Sequence, residues 1–354
     1  MLLRKGFRFR LDPTDSQRQL CSQFAGASRF LYNRGLAQRK QVYEETGKSV
    51  SYFEQNNDLV PLKKQQPTAW LKDIHSQVLQ QALKNLDAAF QNFFQNLKKG
   101  KKPGFPRFKC KGIRDSFRYP QGVHIENSQV YLPKIGYVLF RKSREIEGTL
   151  KQTTILREGS HWYVSFSCEI EINDPVPAPI AEEKAIGIDM GLKSFAVMAS
   201  GPNNTAKRID NPRFFTQDLP RLRVLSRRLC KKVKGSKNWL RAKLQLSKLH
   251  ARIRHCREDF ANKLSTEIIK SHDIICVESL DIPNLLQTGT RSLSRAIADA
   301  SWRFFLGCLK YKAKEKGKHF VETGQYFPST QTCNSCWHRQ KMELGDRIYR
   351  CIVA

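Results

Sequence analysis

The sequence predicts a multidomain chain of mixed α/β and α+β class, and three observations predict it. Two short apolar runs, Ala185-Ile186-Gly187-Ile188-Asp189 and Ile274-Ile275-Cys276-Val277-Glu278, each end on a carboxylate. Their β-branched content and polar flanks read as buried strands. Between 161 and 172 apolar and polar residues alternate almost without a break, with Trp162, Val164, Phe166, Cys168, Ile170 and Ile172 on one face; a period of two is a strand. Between 14 and 97 the apolar residues recur instead at three- and four-residue steps, which is the helical period.

Composition narrows the function. The chain has 354 residues, room for two or three domains. Its 62 Lys and Arg against 32 Asp and Glu leave a formal charge of +30. An excess of that size repels itself unless a polyanion is present, and nucleic acid is the polyanion expected. A membrane partner is not expected: no run approaches the ~18 apolar residues of a span, and Arg4, Lys5, Arg8 and Arg10 interrupt any signal-peptide core. Nothing points to a small-molecule substrate. Seven of the ten cysteines are scattered singly, and Cys333, Cys336 and Cys351 cluster. That suits a reducing cytoplasm and one metal site, so a cytoplasmic, nucleoid-associated protein of prokaryotic type is expected.

The elements follow in order. Charged and apolar residues alternate from Arg4 to Leu11, a strand that Asp12-Pro13 ends. Thr14 with Gln17 makes a capping box, and Leu20, Phe24, Ala27 and Leu31 follow at helical spacing. A looser stretch from Gly47 to Pro67 precedes a stronger helix bearing Leu79, Leu83, Leu86, Phe90, Phe93 and Leu97. These faces read as the core of a helical bundle. The segment Lys98 to Lys109 holds two prolines and two glycines, six positive charges and two phenylalanines. It cannot be helix; phosphates can meet the charges and bases can stack on the rings. A solvated loop is the competing reading. Residues 123–172 read as β-structure, and Asp174-Pro175-Val176-Pro177-Ala178-Pro179 as a stiff linker at a domain boundary.

Past the linker, the strand ending on Asp189 leads to a second strand, Phe195 to Ala199, a turn at Gly201-Pro202-Asn203-Asn204, and a third strand near Lys207 to Ile209. Residues 219–257 then carry 14 Lys and Arg and no acid, with leucines at helical spacing on either side of Gly235. A surface helix normally mixes signs to gain i,i+4 pairs. Two helices that forgo them predict a nucleic-acid track through Arg227, Arg228, Lys231, Lys232, Lys234, Arg241, Lys248, Arg252 and Arg254, joined by Lys101, Lys102, Arg107 and Lys109 of the earlier segment. The strand ending on Glu278, a helix at 293–316 and a strand at 319–322 complete the order.

Strand–strand–strand–helix–strand–helix, with acids on the first and fourth strands, is the plan of an RNase H-like nuclease core. That plan sets Asp189 beside Glu278, where two carboxylates can hold Mg²⁺ or Mn²⁺ ions about 3.5–4 Å apart across a scissile phosphate. Solvated strand ends are the alternative. The C-x2-C of Cys333 and Cys336, followed by Cys351, is three-quarters of a zinc ribbon. The fourth ligand is expected at 354, where Ala354 stands, and His338 lies too near Cys336 to be an obvious substitute. Substoichiometric Zn²⁺ is therefore expected.

These motifs resemble those of the TnpB (OrfB) proteins of insertion sequences, transposon-encoded RNA-guided nucleases related to type V CRISPR effectors. The resemblance rests on KKPGFPRFK at 101–109, GIDMGLKSFAV at 187–197, LHARIRHCREDFANKL at 249–264, ICVESL at 275–280, RAIADASWRFFLGCLKYK at 295–312 and STQTCNSC at 329–336. It implies a RuvC-type catalytic Asp at Asp189, a catalytic Glu at Glu278, zinc-knuckle thiolates at Cys333, Cys336 and Cys351, and guide RNA and target DNA as partners. It also implies a domain plan: 1–11, first strand of a wedge-like β-barrel; 12–100, a helical recognition domain of helix-turn-helix kind; 101–173, the rest of the barrel; 174–180, linker; 181–328, the RuvC domain with its basic helices; 329–354, a partial zinc ribbon. Members of the family continue into an Asp-Arg-Asp-x-Asn segment whose Asp completes a catalytic triad, and this sequence stops at Ala354. The expectation is an RNA-guided DNA endonuclease with impaired cleavage. The alternative is a nuclease-dead RNA-guided DNA binder, or an inactive remnant of a transposase.

Overall fold

Phe7, Phe9 and Leu11 point from β1 (Leu2–Leu11) into the core of the first of two units, Met1–Asn173 and Asp174–Ala354. The computed structural model describes residues 2–100, 103–112, 115–200, 205–324, 331–333, 336–341 and 351. Lys101, Lys102, the turn at 201–204 and Ala354 lie outside them.

In the first unit, α1 (Asp15–Thr46) opens on the capping box that Thr14 and Gln17 encode. The Gln17 N–H donates to Thr14 Oγ1 at 3.3 Å, and the Thr14 N–H donates to Gln17 Oε1 at 3.1 Å. The short helices α2 (Tyr52–Asn57) and α3 (Leu59–Lys64) precede α4 (Ser76–Lys98). Phe24, Leu31 and Leu36 of α1 and Leu79, Leu83 and Leu86 of α4 are buried. Gly35 lets the two helices approach: a Cβ there would stand 3.0 Å from the Leu86 side chain and 3.2 Å from Leu83. The far end of α4 leaves the core, with Phe94 and Leu97 exposed.

Six strands follow: β2 (Ser116–Tyr119), β3 (His124–Glu126), β4 (Gln129–Leu132), β5 (Gly136–Leu139), β6 (Thr149–Glu158) and β7 (His161–Glu171). β1 pairs antiparallel with β7 along its whole length, giving the order β1-β7-β6-β2, and β3-β4-β5 form a separate sheet. A lone bridge, Leu11 to Phe140, joins β1 to the residue after β5. The expected β-barrel is not found: among the described residues β1 and β2 remain the two edges of an open four-stranded sheet. β2 has four residues and cannot close against the ten of β1. Helix α1 meets the sheet instead, with the Phe24 and Phe117 rings 5.3 Å apart.

The second unit begins with the meander β8 (Ala185–Met190), β9 (Ser194–Ser200) and β10 (Thr205–Asp210). Helices α5 (Phe214–Cys230) and α6 (Lys237–Ser271) cross over to β11 (Ile274–Val277). Helices α7 (Ile282–Thr288), α8 (Arg291–Ala300) and α9 (Trp302–Glu315) lead to β12 (His319–Glu322). The sheet order is β10-β9-β8-β11-β12, antiparallel through the meander and parallel from β8 to β12. Parallel neighbours need a long crossover, which the helices supply. Ile186, Ile188 and Met190 of β8 and Ile275 and Val277 of β11 join one buried cluster with Leu264 and Ile268 of α6 and Phe305 and Leu309 of α9.

Part of the proline run is anchored within this unit. The Ala178 N–H donates to the Gly317 carbonyl, and the Ala178 carbonyl accepts from His319 Nε2, both at 2.8 Å. Gly317 has a φ of 66°, and any Cβ there would strike the Val176 carbonyl oxygen, so both conformation and space require glycine. Among the described residues, no helix is long and apolar enough to cross a membrane.

Candidate functional site

Ile188 and Val277 face each other in the parallel register of β8 and β11, and Asp189 and Glu278 are the next residues along. Neighbouring strands run about 4.8 Å apart, so the two carboxylates leave the sheet side by side. Alternation turns them away from the core that Ile188, Met190 and Val277 fill, and both are exposed. Gly187, two residues before Asp189, puts no side chain on that face. Burial raises the pKa of Glu278, and the Asp189 charge raises it further. Two carboxylates side by side are the donor set that a divalent cation would take. Asp210 ends β10 at the same end of the sheet, but two strands over, about 10 Å from β8. Asp281 is occupied in capping α7, accepting from the Asn284 N–H at 3.2 Å.

Helices α5 and α6 form a hairpin over Leu222, Leu249 and Ile253. Arg227, Arg228, Arg241, Lys248, Arg252 and Arg254 are exposed along it, and Lys231, Lys232 and Lys234 are exposed in the turn. The stretch is not wholly without acidic partners, because one acid just beyond its end and one on α8 meet it. Arg254 meets Glu258 at 3.5 Å, one turn on. Arg257 meets Asp299 of α8 at 2.8 Å.

Asp299 went unnoticed in the sequence, where it is one acid between two alanines. In the fold its side chain is 3% exposed. One oxygen accepts from the Phe215 N–H at 2.9 Å and from Arg257 Nε and Nη2 at 3.2 and 2.8 Å. The other accepts from the Thr216 N–H and hydroxyl at 3.0 and 3.1 Å. It thus caps α5, whose own N-cap residue, Arg213, makes no side-chain capping bond. The only foresign is its place beside Ile297 and Ala300 on the apolar face of α8.

In the basic segment before β2, the rings and one cation are engaged within the first unit. Phe105 packs edge-on against Phe90 and Phe93 of α4, with centroids at 5.6 and 5.3 Å. Lys109 places its ammonium 3.9 Å from the Tyr32 ring, and burial and Arg118 lower its pKa. Asn33 bonds both the N–H and the carbonyl of Lys109. Arg107 and Phe108 remain exposed.

The sulfurs of Cys333, Cys336 and Cys351 all lie within 4.8 Å of one another, and those of Cys336 and Cys351 are 3.4 Å apart. Around Cys333 the chain folds back. The Trp337 N–H donates to the Cys333 carbonyl at 3.0 Å, the Cys333 N–H donates to the His338 carbonyl at 2.8 Å, and Thr332 bridges Arg339. The His338 N–H lowers the pKa of Cys336, but the neighbouring thiols and burial outweigh it and leave it raised. A tetrahedral ion with Zn–S bonds of ~2.3 Å separates its sulfurs by about 3.8 Å; the three thiols fit that span.

Three family comparisons follow these features. Residues 1–48 match a helix-turn-helix domain of OrfB proteins, 165–288 the OrfB family described as a probable transposase, and 302–353 the TNB domain of Cas12f1-like proteins. The chain is 35% identical to "Putative RNA-guided DNA endonuclease InsQ" of Escherichia coli K12, across 99% of this chain and 87% of that one. It is 34% identical to "Putative RNA-guided DNA endonuclease" of Streptomyces pristinaespiralis, across 99% and 85%. Its fold is similar to that of Cas12f1 in a complex with sgRNA and target DNA, with a TM-score of 0.61 at 12% identity, covering 99% of this chain and 96% of that one. The chain belongs to the TnpB (OrfB) family of insertion-sequence transposase-type proteins.

Proposed function

We propose that this chain is an RNA-guided DNA endonuclease whose cutting centre is Asp189 with Glu278 and whose cofactor is Mg²⁺ or Mn²⁺. The observation that carries the reading is the placement of these acids at adjacent ends of β8 and β11 in a sheet ordered β10-β9-β8-β11-β12. That order is what an RNase H-like core requires. Divalent ions at such a site activate water and steady the leaving oxygen of a phosphodiester. Asp189 and Glu278 would hold them on an open face that a nucleic-acid strand can reach. The basic hairpin of α5 and α6, with Arg107 and its neighbours, would neutralise the phosphates of guide RNA and target DNA. Cys333, Cys336 and Cys351 would hold Zn²⁺, which keeps the fold around them closed.

Cutting by the 354-residue chain is read as weak, because among the described residues two carboxylates converge rather than three. The competing function is guided binding without cutting. The test is a purified protein loaded with RNA transcribed from the flank of its gene. Target binding and Mg²⁺-dependent cleavage are measured on it, on Asp189→Ala and on Glu278→Ala. Binding kept by all three, with weak cleavage by the parent and none by either variant, is the expected pattern. Cleavage by the Asp189→Ala variant at the parent rate would remove Asp189 from the site.

A further inference from the structure

Arg221 and Arg228 of α5 and Lys248 and Arg252 of α6 line one cleft of about 480 Å³ between the two helices, floored by Leu225 and Leu249. The spacing is built into the sequence. Residues 221, 224, 225 and 228 lie on one face of α5, and 245, 248, 249 and 252 on one face of α6. The helices run antiparallel through the turn at 231–236, so Arg221 and Arg252 stand toward one end of the cleft and Arg228 and Lys248 toward the other. Seven residues of α5 span about 10 Å and four of α6 about 6 Å, so the two cation pairs stand roughly 6–10 Å apart along the cleft. Among the described residues none of the four has a hydrogen bond or an ion pair with an acid, unlike Arg254 and Arg257 of the same hairpin. Four like charges around one hollow repel one another, and a cleft lined by one sign concentrates its field on an incoming anion.

The hollow does not depend on a ligand to form. Its floor is a small apolar core, and Asp299 ties the first turn of α5 to Arg257 of α6. We propose that this cleft is a preformed clamp for a phosphodiester strand, with one phosphate between Arg221 and Arg252 and another between Arg228 and Lys248. The clamp deepens the nucleic-acid reading above and rests on it. Arg221, which the charge pattern alone did not single out, is a member. Guide RNA and target DNA share the phosphate chemistry, and the experiment separates them.

The full chain, stripped of nucleic acid, is titrated with an RNA oligonucleotide and with a DNA oligonucleotide of the same sequence over a range of salt. Each lost phosphate contact on a single strand reduces the slope of log K against log salt by about 0.7. Arg221→Gln/Arg252→Gln should therefore lose about 0.7 with at least one of the two probes, and the four-fold variant that adds Arg228→Gln and Lys248→Gln about 1.4. Arg221→Lys/Arg252→Lys should keep most of the slope. A loss with RNA alone assigns the clamp to the guide, and a loss with DNA alone to the target strand. The control, Arg223→Gln/Lys237→Gln, removes the same charge from the same helices outside the cleft. An equal loss from the control makes the hairpin a diffuse basic surface and overturns the clamp. Unchanged slopes in the cleft variants of a chain that binds both probes overturn the clamp and leave the wider reading standing. A parent chain that binds neither probe overturns both.

Discussion

Arg257 of α6 and Asp299 of α8 meet at 2.8 Å, and that contact joins the basic hairpin to the helix that follows β11 and α7. Asp299 accepts from two backbone N–H groups at the start of α5 as well. Its removal strips α5 of its cap and leaves a guanidinium, 22% exposed, without its partner. Losing one half of a buried pair costs about 3–5 kcal/mol in full burial, and the partial exposure of Arg257 brings the expectation for Asp299→Ala to about 2–4 kcal/mol. Urea unfolding of the isolated variant measures it. Asp299→Asn keeps an acceptor for the N–H groups and should lose about half as much. Equal stability of Asp299→Ala and the parent would show that the hairpin is held elsewhere.

The two acids were legible because each ends an apolar run, and a strand that stops on a carboxylate shows in sequence. Their meeting was legible only through topology: β8 and β11 begin 89 residues apart, at Ala185 and Ile274, and nothing local says they pair. Asp299 was not legible, since its five donors come from Phe215, Thr216 and Arg257, which only the tertiary fold assembles. The barrel expectation failed on length. Alternation announces strands, but whether a sheet closes depends on edge-strand length and on what covers its face, and here β2 is too short and α1 packs at that edge. Phe105 shows the same limit. An aromatic among lysines reads as a stacking platform, and the sequence does not show that Phe105 also packs edge-on against Phe90 and Phe93 while staying 44% exposed.

A second prediction concerns the thiols. The neighbouring thiols and burial raise the pKa of Cys336, so its thiolate is disfavoured unless a cation is present. Zinc uptake should therefore release protons and weaken as pH falls. Among the described residues three thiolates converge and leave an open coordination position, so zinc per chain should be below one and fall further with a chelator. Cys336→Ser should lose most of the metal, measured by atomic emission. A full, chelator-resistant zinc in the unmodified chain would show that a fourth ligand completes the site.

A third prediction uses the pKa of Glu278, which burial and Asp189 raise above the ordinary carboxylate value. Between the unfolded value and the raised folded value the unfolded chain gives up its proton first. Stability therefore falls as pH rises through that window, and the folded site carries the cost above it. Glu278→Gln should melt at or above the parent's temperature at neutral pH without metal. Mn²⁺ should raise the parent's melting temperature at neutral pH, and less so as pH falls toward the raised pKa of Glu278. Glu278→Gln should not respond to Mn²⁺ at either pH. A variant that gains as much from Mn²⁺ as the parent would place the ion elsewhere.

The last prediction joins charge to catalysis. With +30 on the chain and an exposed basic hairpin, the purified protein should carry RNA at low salt and shed it steeply as salt rises. Six to ten phosphate contacts correspond to a loss of roughly 10³–10⁵ in affinity between low and moderate salt. The Asp189–Glu278 pair contributes little to that affinity, so Asp189→Ala should retain RNA and guided DNA binding at the parent level. Cutting should separate from binding if the acids act on the transition state and not on the bound strand. Losing a charged ligand from a two-metal site removes about 3–5 kcal/mol of transition-state stabilisation, a rate loss of roughly a hundredfold to several thousandfold. Whatever cutting the 354-residue chain shows should drop at least that far in Asp189→Ala, with the binding constant unchanged. A parallel fall in binding would mean that Asp189 shapes the nucleic-acid surface rather than the chemistry performed on it.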